Sequence, residues 1–138
     1  MVILSHLLCK IFTYIMYKIN NLNQKEEALS RKIKFQKPKK SQTKEIIKLV
    51  KDTKILDVNS EYLYYLQTIH FNKFCCVAVD ENKKNKVIGF VSGYLIPDEN
   101  SLFIWQVAVN EKYRGLGLAQ KMILNIAKRK TMKKINFI

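Results

Sequence analysis

One run in this chain forces a strand to stop and a helix to start within a few residues. Tyr113-Arg-Gly-Leu-Gly-Leu-Ala119 follows a strand-like segment, Leu102 to Val109, and opens a helix-like one, Leu118 to Lys130. Glycines at a strand-to-helix turn leave backbone N–H groups uncovered. A helix N-terminus adds its positive dipole end, so the turn suits a phosphate anion. Arg114 adds a cation with forked donors.

The 138 residues are enough for one domain with a single core. At 48% hydrophobic and 26% charged the chain reads as globular, not disordered. Lys and Arg number 25 against 11 acidic residues, a net charge of +14. That charge describes a lysine-rich solvated surface first, and attraction of an anionic cofactor second. The lysines are not interleaved with aromatics in any nucleic-acid-binding module, so no nucleic-acid partner is expected. Cys9, Cys75 and Cys76 form neither a disulfide framework nor a metal-ligand spacing, and His6 and His70 are the only histidines. No metal is expected. Cys75 and Cys76 are adjacent in an apolar strand, read as buried thiols on opposite faces. Unpaired cysteines point to a reducing, cytoplasmic compartment.

Residues 1–30 read as an amphipathic extension and linker, and residues 31–138 as the folded domain. Ile3, Leu4, Leu7, Leu8, Ile11, Phe12, Ile15 and Ile19 recur at helical spacing. Lys10 interrupts the run, which argues against a transmembrane span, and no signal-peptide pattern precedes it. Three readings stay open: a helix docking on the body or a partner, a membrane-surface helix, or a start nearer Met16. Asn20 to Ser30 reads as a polar linker.

In the body, Lys32 to Gln36 alternates as a first strand. Thr43 caps a helix through Val50. Lys54 to Asn59 is a loop, and Asn59 or Ser60 caps a second helix to Phe71 with Tyr62, Leu63, Leu66 and Ile69 inward. Phe74 to Val79 and Val87 to Ile96 form a hairpin around the charged turn Asp80 to Lys86. Ser101 to Val109 is apolar on both faces, with Trp105 sharing one with Phe103, Val107 and Val109. The final helix turns Leu118, Ala119, Met122, Ile123, Ile126 and Ala127 inward, and a strand begins at Ile135 to Ile138. The order β-α-α-β-β-β-α-β is a mixed α/β (α+β) fold: antiparallel hairpins, then a crossover to a parallel strand.

The turn lacks the Lys-Ser/Thr end of a P-loop and is shorter than the dinucleotide fingerprint. The spacing Arg114-x-x-Gly117-x-Ala119, after a strand ending in Val107-Ala-Val109, resembles the acetyl-CoA pyrophosphate motif of the GCN5-related N-acetyltransferase (GNAT) family. The order of elements resembles that fold from its first to its fifth strand. Asp57-Val-Asn-Ser-Glu-Tyr-Leu-Tyr-Tyr-Leu66, His70-Phe71, Gly89-Phe-Val-Ser-Gly-Tyr94 and Leu102-Phe-Ile-Trp-Gln-Val-Ala-Val109 resemble the diaminobutyrate acetyltransferases of ectoine biosynthesis, over about Arg31 to Ile138.

That resemblance implies acetyl transfer from acetyl-CoA to the γ-amine of L-2,4-diaminobutyrate, by a homodimer. It implies a cofactor site at Val107, Ala108 and Val109, whose backbone holds the pantetheine arm, and at Arg114, Gly115, Leu116, Gly117, Leu118 and Ala119. It implies a substrate site at Asp57, Asn59, Ser60, Tyr62 and Trp105: Asp57 pairs with an ammonium, the next three offer neutral hydrogen-bonding groups, and Trp105 walls the pocket. Each has a plainer reading. Asn59 and Ser60 are ordinary helix caps, Asp57 a loop residue and Trp105 core; His70 reads as structural and Glu61 as a first-turn charge. The strand Leu102 to Val109 has no carboxylate, so no general base is singled out. The family pattern goes on to another helix and two strands, so the chain reads as C-terminally incomplete. Transfer to another small diamine and an inactive CoA-binding remnant are the alternatives, with a membrane-surface binder as a third.

Overall fold

The computed structural model describes residues 2–129 and 136–137, with side chains from 6 to 27 and from 32 to 129. The chain forms two units, Met1–Lys32 and Ile33–Ile138. The first is one helix, α1 (Val2–Arg31). The segment expected as a polar linker, Asn20 to Ser30, is helical. Gln24, Lys25, Glu26, Glu27, Ala28 and Leu29 are all good helix formers, and neither glycine nor proline interrupts them, so polarity alone did not mark a loop. Among the described residues, no helix is long and apolar enough to cross a membrane.

The second unit runs β1 (Ile33–Gln36), α2 (Thr43–Thr53), α3 (Glu61–Ile69), β2 (Cys76–Asp80), β3 (Lys86–Ile96), β4 (Ser101–Val109), α4 (Leu118–Ala127) and β5 (Asn136–Phe137). This is the β-α-α-β-β-β-α-β order expected of a mixed α+β chain. The strands lie in chain order in one sheet. β1 to β4 are antiparallel neighbours, and β5 pairs parallel to β4 at Ser101 and Leu102. The parallel pair requires a crossover, which α4 supplies. Lys130, Ile135 and Ile138, expected to end the helix and the last strand, lie outside the described residues.

On one sheet face, Ile46, Leu49 and Val50 of α2 and Tyr64 of α3 pack with Cys75, Val77, Val79, Phe90 and Ala108. On the other lies α4. Met122 sits so close over Gly89 that a Cβ there would be 2.9 Å from its terminal carbon. Cys75 joins the first layer, while Cys76 Sγ lies 3.6 Å from Asn125 of α4. The adjacent thiols therefore face opposite ways, and burial pushes Cys75 up to about 12 and Cys76 up to about 11.

Several expected details are corrected. Gln42, not Thr43, is the N-cap of α2, and the helix runs on to Thr53. Thr43 is fully buried, its hydroxyl 2.8 Å from that of Thr68 and donating to the Lys40 carbonyl, so it is not free to cap. Phe74 closes a 3-10 turn before β2. α3 buries Tyr64, Gln67 and Thr68, whereas Tyr62 is 72% exposed and Ile69 is exposed. Counting apolar residues selected the wrong face because the buried one is held by hydrogen bonds. Asp80, read as part of a charged turn, ends β2 and is buried.

Candidate functional site

β4 delivers the chain to the glycine turn through a 3-10 turn, Glu111–Tyr113, capped by Asn110. The Asn110 Oδ1 accepts from the Lys112 N–H at 3.0 Å, and the Asn110 N–H donates to the Ile88 carbonyl at 2.8 Å. Tyr113 points inward, and its hydroxyl donates to Asp80 Oδ2 at 2.6 Å. The Asp80 Oδ1 accepts from the Asn82 N–H at 2.9 Å. A buried carboxylate thus ties the turn to the β2–β3 hairpin. Burial, then the hydrogen bond and charge of Asp80, push the Tyr113 phenol up to about 12.

Gly115 and Gly117 adopt φ of +80° and +70°, and Gly117 is the N-cap of α4. A Cβ at either would meet nothing within 4 Å, so glycine is required by backbone conformation, not by space. α4 has no side-chain cap and no acidic residue in its first turn. Its leading N–H groups therefore lie open to an anion under the positive end of the helix dipole. Arg114 is exposed, and its Nε donates to the Val109 carbonyl at 3.3 Å. Leu118 is buried, so only its N–H can serve a ligand; Leu116 and Ala119 are half-buried. A polar pocket of about 200 Å³ opens beside the turn, lined by Asp52, Thr53, Val109, Asn110 and Arg114 among others.

β4 is not a regular strand. Ser92 of β3 faces Gln106, but the next residue, Gly93, faces Ile104. Trp105 is therefore the extra residue of a bulge, where side-chain alternation breaks. Gln106 and Ala108 face α2 and α3, so Val107 and Val109 face away. Trp105 nevertheless lies on the α3 side: it lines a pocket of about 210 Å³ with Leu63, Gln67, Phe71, Gly93 and Tyr94. The expectation that Trp105 shares a face with Val107 and Val109 is corrected by this one-residue insertion. Trp105 is also 48% exposed rather than core, with its ring centroid 5.8 Å from that of Tyr94.

The loop before α3 is fastened beside the bulge. The Asn59 N–H donates to the Tyr64 hydroxyl at 3.3 Å, which donates to Gln106 Oε1 at 3.1 Å. Gln106 Nε2 donates to the Asp57 carbonyl at 2.7 Å. Asp57 and Asn59 are thus brought to the Trp105 region, with the Asp57 carboxylate exposed. Ser60 is the N-cap of α3, its Oγ accepting from the Leu63 N–H at 3.3 Å. Tyr62 points outward and does not line the Trp105 pocket. Gln67, Ser92, Gln106 and Asp80 were not singled out from the sequence, and the buried hydrogen bonds of Tyr64 and Tyr113 were not foreseen. Ser92 and Gln106 did carry a signal, as lone polar residues at inward positions of apolar strands, which demand partners.

Comparison with known proteins agrees with this layout. Residues 43–137 match the model of the acetyltransferase (GNAT) family. The L-2,4-diaminobutyric acid acetyltransferase of Vibrio parahaemolyticus is 39% identical over 110 residues, 79% of this chain and 59% of that protein. That of Chromohalobacter salexigens is 46% identical over 90 residues, 63% of this chain and 45% of that protein. The chain spans about half the length of these curated relatives. Among solved structures, the diaminobutyrate acetyltransferase EctA from Paenibacillus lautus, in complex with L-2,4-diaminobutyric acid and coenzyme A, aligns with a TM-score of 0.67 and 32% identity. The alignment covers 72% of this chain and 59% of that one. With the open helix N-terminus after β4, the family match over residues 43–137 leaves one assignment: this chain belongs to the acetyltransferase (GNAT) family.

Proposed function

We propose that this chain carries the acetyl-CoA and diamine sites of an acetyltransferase that converts L-2,4-diaminobutyrate to its N-γ-acetyl derivative, a step of ectoine biosynthesis. The observation that carries the reading is the uncapped N-terminus of α4 behind two left-handed glycines. It is an anion cradle at the end of a bulged strand. The relatives named diaminobutyrate acetyltransferases, and the Paenibacillus lautus complex with diaminobutyric acid and coenzyme A, support the choice of substrates.

In this reading the N–H groups from Gly115 to Ala119 take the pyrophosphate, with Arg114 adding charge. β5 pairs β4 only at Ser101 and Leu102, so the outer edge of β4 through Val107, Ala108 and Val109 has no strand partner among the described residues. That edge offers groups to the amide-bearing arm of the cofactor. The bulge carries Trp105 to the α3 side, and in this reading Asp57, Asn59 and Ser60 form the diamine end of the site there, while exposed Tyr62 stays outside the Trp105 pocket. The neutral amine attacks the thioester carbonyl and the C–N bond forms; the C–S bond breaks as the adduct collapses, and the proton lost by the nitrogen ends on the departing thiolate. Backbone N–H groups of β4 stabilise the developing oxyanion. Residues 31–138 form the catalytic unit and residues 1–30 an extension, a division supported by the contact boundary after Lys32. The unpaired Cys9, Cys75 and Cys76 support a cytoplasmic setting, and the resemblance supports a homodimer.

The test is release of free thiol from acetyl-CoA on addition of diaminobutyrate, by protein shown to be folded by circular dichroism. Turnover with diaminobutyrate ahead of a panel of other diamines supports the reading. Folded protein with no turnover on any amine would sink it.

A further inference from the structure

α3 buries three polar side chains, and two are matched. Tyr64 bonds Gln106, and Thr68 lies 2.8 Å from Thr43. Gln67 is different. It is only 6% exposed, and its Oε1 is buried with no hydrogen-bond partner among the described residues. Ser92, fully buried on β3, has an unpartnered Oγ too. Native proteins rarely leave buried polar atoms unmatched, so each such atom calls for a partner such as a bound water, ion or ligand.

Gln67 lines the pocket of about 210 Å³ walled by Leu63, Phe71, Tyr94 and Trp105. Its floor is Gly93, where a Cβ would come within 2.8 Å of the Phe103 carbonyl, so no larger residue fits. Among the described residues, no charged side chain lines the pocket. A carboxylate entering it would lose its hydration with no cation to replace it. An amine meets both features of the wall. Its N–H groups match the unpartnered Oε1 of Gln67, and the three aromatic side chains of the lining favour any positive charge it retains.

We infer that Gln67 is a specificity-determining residue: its Oε1 accepts an N–H from the amine end of the acceptor substrate, seated against Trp105. The identity of that acceptor as diaminobutyrate rests on the acetyl-transfer reading above; the preference of the pocket for an amine does not.

Trp105 is the only tryptophan in the chain, so its fluorescence reports on this pocket directly. The full chain is titrated with L-2,4-diaminobutyrate and with 2-aminobutyrate, which lacks the side-chain amine. Wild type is expected to give a saturable change with diaminobutyrate and at least about tenfold weaker binding of 2-aminobutyrate, the loss expected for one hydrogen bond. Gln67→Met, close in volume, should weaken diaminobutyrate about tenfold and leave 2-aminobutyrate unchanged. In steady-state assays it should raise KM for the amine and not for acetyl-CoA. Its melting temperature should not fall, since an unmatched polar atom is removed; Gln67→Leu is the second apolar replacement. Equal binding of diaminobutyrate by wild type and both variants overturns the inference, as does a Trp105 signal unmoved by any amine. Turnover that persists with unaltered amine KM in Gln67→Met rejects this inference and leaves the proposed function standing. Amine binding that depends on Gln67 without any turnover does the reverse.

Discussion

Replacing Tyr113 by phenylalanine removes one oxygen from the joint that holds the glycine turn to the sheet. The phenol donates to Asp80 Oδ2 at 2.6 Å, and Asp80 is only 1% exposed. The other carboxylate oxygen has the Asn82 N–H, but Oδ2 has no second donor among the described contacts. A hydrogen bond to a charged group contributes about 1.5–3 kcal/mol, and a buried acceptor left bare costs a similar amount. Tyr113→Phe should therefore destabilise the Ile33–Ile138 unit by about 2 kcal/mol, or roughly 10 °C in Tm for a domain near 100 residues. Urea melts at pH 7 measure the first figure and scanning calorimetry the second. Asp80→Asn and the double variant complete a cycle, with an expected coupling of at least about 1 kcal/mol. Arg114 follows Tyr113 directly, so the loosened turn should also bind CoA several-fold more weakly by calorimetric titration. A Tyr113→Phe protein whose stability stays within about 0.5 kcal/mol of wild type, the range of an uninvolved surface change, would refute this account of the joint.

Four further outcomes are expected. Gly93→Ala should cost well over 2 kcal/mol, because the added carbon meets backbone oxygens of Phe103 and Phe74 at 2.8 and 3.2 Å; Gly89→Ala, facing the flexible end of Met122, should cost less than half as much in the same urea melts. Gly117→Ala forces a non-glycine residue to φ +70° at the N-cap of α4, and should weaken CoA binding at least several-fold while lowering stability by only about 1–2 kcal/mol. Cys75, Cys76 and Tyr113 hold their protons to about 12, 11 and 12, above the unfolded values, so their contribution is full below about pH 9. It falls at up to about 1.4 kcal/mol per pH unit for each group as pH rises toward those values, which melts from pH 8 to 11 measure. Exposed Cys9 should react with a thiol reagent at neutral pH well before the other two.

The order of elements in the second unit was legible because its signals are local. Alternation marked the strands, the pair Asn59-Ser60 marked the start of α3, and Gly115 and Gly117 marked the joint before α4. What was not legible depends on distant partners. Tyr62 looked more suited to burial than Gln67, yet Tyr62 is exposed and Gln67 is inside. The reason lies elsewhere in the chain: Gln106 anchors Tyr64, and Thr43 anchors Thr68, so α3 is rotated to meet them. Asp80 looked like a turn residue because its partner, Tyr113, comes 33 positions later. Hydropathy has no access to such pairings.

The bulge at Trp105 shows how one such failure bears on function. A regular β4 would send Trp105 to the same side as Val107 and Val109. The extra residue sends it instead toward Leu63 and Gln67 of α3. A single strand then serves two purposes. Its later residues lead into the anion cradle, while its bulged residue walls a pocket on the other face. A bulge bends and twists the strand that carries it, so the two places are set at an angle rather than stacked in line. Tyr64 and Gln106 fasten the Asp57–Asn59 loop to the point where that bend occurs. Their hydrogen bonds hold the loop to the irregular point of the sheet, so a substitution at either should move the Trp105 pocket and the end of β4 together. Period-two alternation overlooks the insertion because it occupies one residue in nine, and that residue is the one that turns a sheet strand into the wall of a site.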